Sequence, residues 1–203
     1  MDAIAMLRQQ LHTVNLRLHH SAGDLTATEL GAQPLPGVNP IGFILWHMTR
    51  SQDWAVNTAV RGVPELIERE PWSSTVLALP GMGTGFSAEQ AAQVARTIDL
   101  GRLLDYADAV NRGADAWLGE IDETDLDAIP NVAAHDAPHP EYQTAGFKAE
   151  MDSGPEHDDA VADRGGLPVW IFLTSVAVTH LHRHLGEVDL LKDLLRRERA
   201  SGA

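Results

Sequence analysis

Apolar positions recur at helical spacing along most of this chain. Leu7, Leu11, Val14 and Leu18 step by 4, 3 and 4 residues, one stripe of an amphipathic helix over about residues 3–21. Asn39-Pro40 sets a cap residue before a proline, a start signal for a second helix that runs to about Arg61 and stops at Gly62, with Pro64 beyond. Ser87-Ala-Glu-Gln90 has capping-box spacing and opens helical sequence over 88–120, where Asp99 offers a second cap and a break. Leu103, Ala107, Val110, Ala114 and Leu118 mark its buried face. A strongly apolar helix then begins at Leu167 or Pro168 and continues to about Arg197. Four long helices without an alternating strand pattern predict an all-α fold, a four-helix bundle.

The connections between these helices are long enough for crossover topology. Residues 62–86 carry Pro64, Pro71 and Pro80 with Gly81, Gly83 and Gly85. Residues 122–166 are acidic and rich in Pro, Gly and Asp, and are expected to be irregular or short-structured, a mobile insert or a lid. The 203 residues fit a single domain, 1–203, with the insert at about 129–166.

Charge and composition narrow the chemistry. Lys+Arg 15 against Asp+Glu 29 gives a formal net charge of −14, a surface that repels phosphate backbones, so no nucleic-acid partner is expected. The longest uncharged run, Leu30 to Thr49, is broken by Pro34, Pro36 and Pro40, so no membrane span is expected. The N-terminus lacks a basic region ahead of an apolar core, so a cytoplasmic protein is expected. The absence of cysteine excludes disulfides, thiolate zinc sites, iron–sulfur clusters and a cysteine nucleophile. Ten histidines remain as the unusual feature.

Two of them share a face. In Val178-Thr-His180-Leu-His182-Arg-His184-Leu-Gly-Glu187, His184 lies about 40° from His180 on one side and Glu187 about 20° on the other. His182 is turned by about 200° and belongs in solvent beside Arg183. An i, i+4 histidine pair is a two-point platform for a divalent ion. The preceding run, Trp170 to Val178, is almost wholly apolar, so both imidazoles are expected to be buried and to need partners. A carbonyl could satisfy one such histidine, whereas a shared cation satisfies two. His47 follows an apolar run on the second helix, one turn after Phe43 and Ile44, and faces inward. Alone it reads equally well as a satisfied core histidine; beside the pair it becomes a third ligand. Three nitrogen ligands with an open fourth position are a catalytic geometry, and zinc, nickel or iron(II) suit imidazole. His12, His19 and His20 belong to the first helix. His135, His139 and His157, near Asp136, Glu156 and Asp158, read as solvated insert residues.

The residues at this point resemble a known family, the DinB/YfiT-like metalloenzymes. The matching features are Asn39-Pro-Ile-Gly-Phe-Ile-Leu-Trp-His47 with Asp53-Trp54, and His180-x-x-x-His184-x-Gly186-Glu187-Val188. Gly85-x-Ser-x-Glu89-Gln90 followed by Asp99-Leu-x-x-Leu-Leu-x-Tyr106 is similar too. The likeness covers most of residues 1–127 and 168–195, and the insert has no counterpart in it. It implies a four-helix bundle with a divalent metal on His47, His180 and His184. It also implies kinship with transferases that use mycothiol, bacillithiol or glutathione, and with a mycothiol-dependent isomerase.

The expected chemistry follows from the ion and the missing cysteine. A metal of this class brings a bound water or thiol towards neutral pKa, and any sulfur nucleophile has to arrive as a low-molecular-weight thiol. The expected reaction joins that thiol to a small electrophilic substrate. Glu187 is the acid/base or ligand-orienting candidate, or an ordinary carboxylate at the bundle rim. Arg50 and Asp53 could orient His47 or bind a substrate carboxylate, or each could be a surface residue or an ion-pair residue. Arg50, Arg183 or residues from the 122–166 connection are the candidates available to hold the polar groups of the thiol. Metal-dependent hydrolysis and non-catalytic binding of a metal or ligand are the alternatives. A small molecule is the expected partner, and a homodimer is left open.

Overall fold

Caps decide where the helices begin in this computed structural model, which describes residues 2–35, 37–152 and 166–201. His157, Glu156 and Asp158 therefore lie outside the described residues. Helix α1 (Ala3–Ala22) starts where the Asp2 carboxylate accepts the Ala5 N–H at 2.6 Å. Thr26 and Glu29 form a reciprocal box around the short α2 (Ala27–Gly31). Helix α3 (Ile41–Asp53) begins one residue later than Asn39-Pro40 suggests, with Pro40 itself in the cap position and no side-chain cap bond. It continues as π-helical turns over Trp54–Val60. Gly62 ends it at φ 60°, donating to the Thr58 carbonyl at 3.1 Å.

The third helical stretch is two helices. α4 (Ala88–Thr97) carries the Ser87–Gln90 capping box, and α5 (Leu100–Leu118) is capped by Asp99, which accepts the Arg102 N–H at 2.8 Å. Within the insert lie α6 (Val132–Asp136) and α7 (Ala145–Asp152). The last helix, α8, joins Val169–Ile171, a π-helical segment Phe172–His180 and a regular α-helix Leu181–Ser201. The fold is all-α, with no strand among the described residues. No helix among them is long and apolar enough to cross a membrane.

Packing closes the four long helices into a ring: α1 lies against α5 and α8, and α3 lies against the same two. One core cluster gathers Trp46, Met48, Leu103, Tyr106, Leu181 and Leu185; a second gathers Trp54, Tyr142, Phe147, Phe172 and Leu173. The α1 stripe serves both, Val14 and Leu18 in the first and Leu7 and Leu11 in the second. Each fully buried leucine here contributes about 2 kcal/mol of hydrophobic stabilisation. The 62–86 connection is drawn over α3, where the Trp46 indole N–H donates to the Leu77 carbonyl at 3.0 Å.

The insert departs from expectation. Its described part is neither a detachable lid nor a solvated loop. Tyr142 and Phe147 are buried in the second core cluster, and Asp136 is buried beneath the Trp54 indole N–H, which donates to it at 2.9 Å. His135 reaches the Ala59 carbonyl at 3.0 Å and lies against Gly62, where an added Cβ would stand 2.7 Å from its Nε2. Removing this segment would uncover Trp54 and Phe172, so its loss would be felt as instability before any change in rate.

Candidate metal centre

α3 and α8 pack side by side and bring His47, His180 and His184 together. The Nε2 atoms of His180 and His184 stand 2.9 Å apart, and those of His47 and His180 stand 3.3 Å apart. Every pair of rings meets edge-on, at interplanar angles of 81° to 89°. Two nitrogens bound to one tetrahedral ion at about 2.1 Å stand about 3.4 Å apart, so the donor set fits a divalent metal. Nitrogens this close have to share either a proton or a cation.

The outer shell fixes two of the three rings. His47 Nδ1–H donates to the Met82 carbonyl at 2.6 Å, which leaves its Nε2 lone pair facing the site. Glu187 Oε2 accepts from His184 Nδ1–H at 2.9 Å with the same consequence. Both assignments follow from the partners available to each ring. His180 has no such partner, since its Nδ1 is buried without a hydrogen bond. Phe43 stacks against His47 with centroids 6.0 Å apart and planes 11° apart.

Burial keeps His47 and His180 neutral, the form that binds a metal. It pushes His47 down to about 4, opposed by the Met82 carbonyl and reinforced by His184 and Arg183. It pushes His180 down to about 2, with His47, His184 and Arg183 adding to the effect. The hydrogen bond to His184 holds the Glu187 carboxyl below its ordinary range.

Met82 can reach His47 because of the glycines around it. Gly81 and Gly83 adopt φ 68° and 93°, and a Cβ on Gly83 would stand 2.8 Å from the Phe43 and Trp46 rings. The loop thus lies flat against the aromatic pair, with the Met82 carbonyl over His47. Sequence shows a glycine cluster here, and nothing in its spacing ties that cluster to a histidine.

The other sequence-predicted residues divide. Arg50 is neither at the surface nor turned to a ligand: it is 2 % exposed, donates through Nε and Nη2 to the Gly81 carbonyl at 3.1 and 2.9 Å, and stands 2.6 Å from Glu65. Asp53 is fully buried and accepts from Asn57, from Tyr106 and from the backbone of Leu66 and Ile67. Neither carboxylate nor guanidinium is offered to a substrate. Arg183 is exposed, and its charge is felt at His47, His180 and Glu187. His182 points away from the cluster but is only half exposed, with its Nδ1 buried and the Arg17 charge close by. Glu65, Tyr106 and Tyr142 complete the polar network behind Arg50, and sequence reasoning does not single out Glu65 or Tyr142.

Comparison with known proteins agrees with this architecture. No curated protein matches the sequence. A conserved protein from Enterococcus faecalis, known from its crystal structure, is similar in fold, with a TM-score of 0.67 and 18% identity over 96% of this chain and 97% of that one. The model of the DinB superfamily matches residues 10–188, and with the three-histidine cluster lying inside that span, the chain belongs to the DinB superfamily.

Proposed function

We propose that this protein is a metal-dependent transferase that joins a low-molecular-weight thiol, of mycothiol, bacillithiol or glutathione type, to a small electrophile. The observation that carries this is the convergence of three Nε2 atoms from His47, His180 and His184, spaced for one divalent ion of the zinc, nickel or iron class. When bound, such an ion supplies Lewis acidity that brings a thiol towards its thiolate at neutral pH. His47, His180 and His184 would hold such an ion through three positions, which would leave a fourth for a ligand. The chain holds no cysteine, so the sulfur belongs to the co-substrate. Glu187 uses Oε2 to keep the His184 proton on Nδ1. Its side chain is 38% exposed, which supports a second role in accepting the thiol proton. Arg183 at the rim supplies a positive charge for the anionic groups of the thiol, on a protein whose net charge would otherwise repel them.

The test is elemental analysis of the purified protein, followed by conjugation of a model electrophile with each of the three thiols, metal-loaded and chelated side by side. The expected outcome is acceleration that disappears on chelation and returns with metal. If none of the thiols shows metal-dependent acceleration, the transferase assignment fails.

A further inference from the structure

Two consecutive carbonyls of the glycine loop are gripped by two side chains of one helix. Met82 O accepts the proton of His47 Nδ1, and Gly81 O accepts twice from Arg50, which lies one helical turn further along α3. The loop has little stiffness of its own, since Gly81, Gly83 and Gly85 all sit in the left-handed region where glycine is freest. A planar guanidinium fork directed at one carbonyl oxygen sets the direction of that peptide. The next carbonyl along the chain is the one His47 uses.

The cost of placing Arg50 there indicates how tightly it is held. A buried guanidinium is tolerated only when paired. Glu65 Oε2 supplies the countercharge at 2.6 Å, although off the line of an N–H bond, so that oxygen has no hydrogen-bond partner. Glu65 is in turn held by the Tyr142 hydroxyl from the insert, and Glu141 packs against Gly81, where an added Cβ would stand 3.2 Å from the Glu141 Cβ. The chain of contacts therefore runs from the insert through Glu65 and Arg50 to the loop and His47.

We propose that Arg50 is a positioning residue for the metal centre: through Gly81 it fixes the Met82 carbonyl that holds the His47 proton on Nδ1 and turns Nε2 to the ion. Because this matters to a metal only if His47 is a ligand, it rests on the function proposed above. Removing a partner of this kind typically weakens metal binding by about 10- to 100-fold.

Arg50→Lys is the first variant, because it keeps a positive charge beside Glu65 but cannot direct a fork at Gly81 O. R50Q/E65Q is the second, since it removes both charges together and leaves Asp53 with its own donors, should the lysine variant fail to fold. Zinc affinity is measured by chelator competition, and the His47 tautomer by nitrogen-15 NMR on metal-free protein. Asn111→Ala serves as the structural control, since Asn111 bonds only the distant Leu11 carbonyl at 3.0 Å. Arg50→Lys is expected to weaken zinc binding at least about tenfold and to mix the His47 tautomers, whereas Asn111→Ala lowers the melting temperature and moves neither. Unchanged zinc affinity with His47 still protonated on Nδ1 would overturn the proposal. If the wild type takes up no zinc, the metal reading fails by itself. The tautomer, read without metal, then still supports or overturns the hold of Arg50 on His47.

Discussion

The three histidines are not equivalent. His47 and His184 each hand a proton to a fixed acceptor, the Met82 carbonyl and the Glu187 carboxylate, and His180 has none. A carboxylate acceptor also makes its imidazole a stronger donor to metal than a carbonyl does. Glu187→Gln keeps the shape but loses that charge, and is expected to weaken metal binding by about tenfold. Metal content after dialysis should fall to background in His47→Ala, His180→Ala and His184→Ala, and stay at the wild-type level in His182→Ala. Retention of metal by any of the first three would remove that residue from the ligand set. The shared face of His180, His184 and Glu187 was legible in the sequence because His180 closes the π-helical segment and everything after it, Leu181–Ser201, is a regular α-helix, where angle arithmetic holds. That Arg50 could orient His47 was open to sequence reasoning, but its route was not, because its partners Glu65 and Gly81 come from a loop 15 and 31 residues away, and helix periodicity says nothing of what a loop brings.

At the scale of elements, the helices flanking the site carry π-helical segments, Trp54–Val60 and Phe172–His180, which pack against each other. Wider turns of this kind recur at functional sites, and here one of them ends on His180. Neither was legible in the sequence, since the only polar residues within Trp54–Val60 and Phe172–Val178 are adjacent pairs, Asn57-Thr58 and Thr174-Ser175, which mark no stripe whose phase could betray the change of pitch. The glycine loop is the more testable element. Gly83→Ala sets a Cβ against the Phe43 and Trp46 rings in a left-handed conformation, and is expected to cost about 2 kcal/mol. Chemical denaturation measures that cost. A loss below about 0.5 kcal/mol would mean that the loop does not depend on this close approach.

At the scale of the whole molecule, the long acidic connection was legible as an insert but not as part of the core. Its buried residues, Asp136, Tyr142 and Phe147, have no regular spacing, and each is recruited by a partner distant in sequence, Trp54 or Glu65. The polar groups behind and within the site also set how the molecule answers acid. His47 and His180 titrate near 4 and near 2 when folded and near 6.5 when unfolded, so below about pH 6.5 the unfolded chain binds protons that the folded one excludes. Their contribution is complete above that pH and is lost as pH falls, by at most about 2 kcal/mol each between pH 6.5 and 5. Glu65 works in the opposite direction. Burial raises it to about 7 against the pull of the Arg50 guanidinium, so it becomes the full countercharge of Arg50 only above that pH. Below it the folded state keeps a proton that the unfolded chain has released above about 4.5, and its contribution is lost as pH rises. The ion-paired Glu29, held near 2, begins to lose its contribution only below about 4.5 and stays outside this window. Burial raises the Asp136 carboxyl in the same sense as Glu65 but to a smaller extent, so the two histidines still outweigh the two acids and leave a net loss on acidification. The metal-free protein should therefore melt at a lower temperature at pH 5 than at pH 7, and His180→Gln should flatten that difference while leaving the ion pairs of Glu29 intact. Saturation with zinc at 100 times its dissociation constant adds about 2.7 kcal/mol at neutral pH, and protons competing for the same nitrogens should steepen the fall. Equal pH dependence in the wild type and His180→Gln, measured without metal, would show that this histidine is not held neutral by burial in the folded protein.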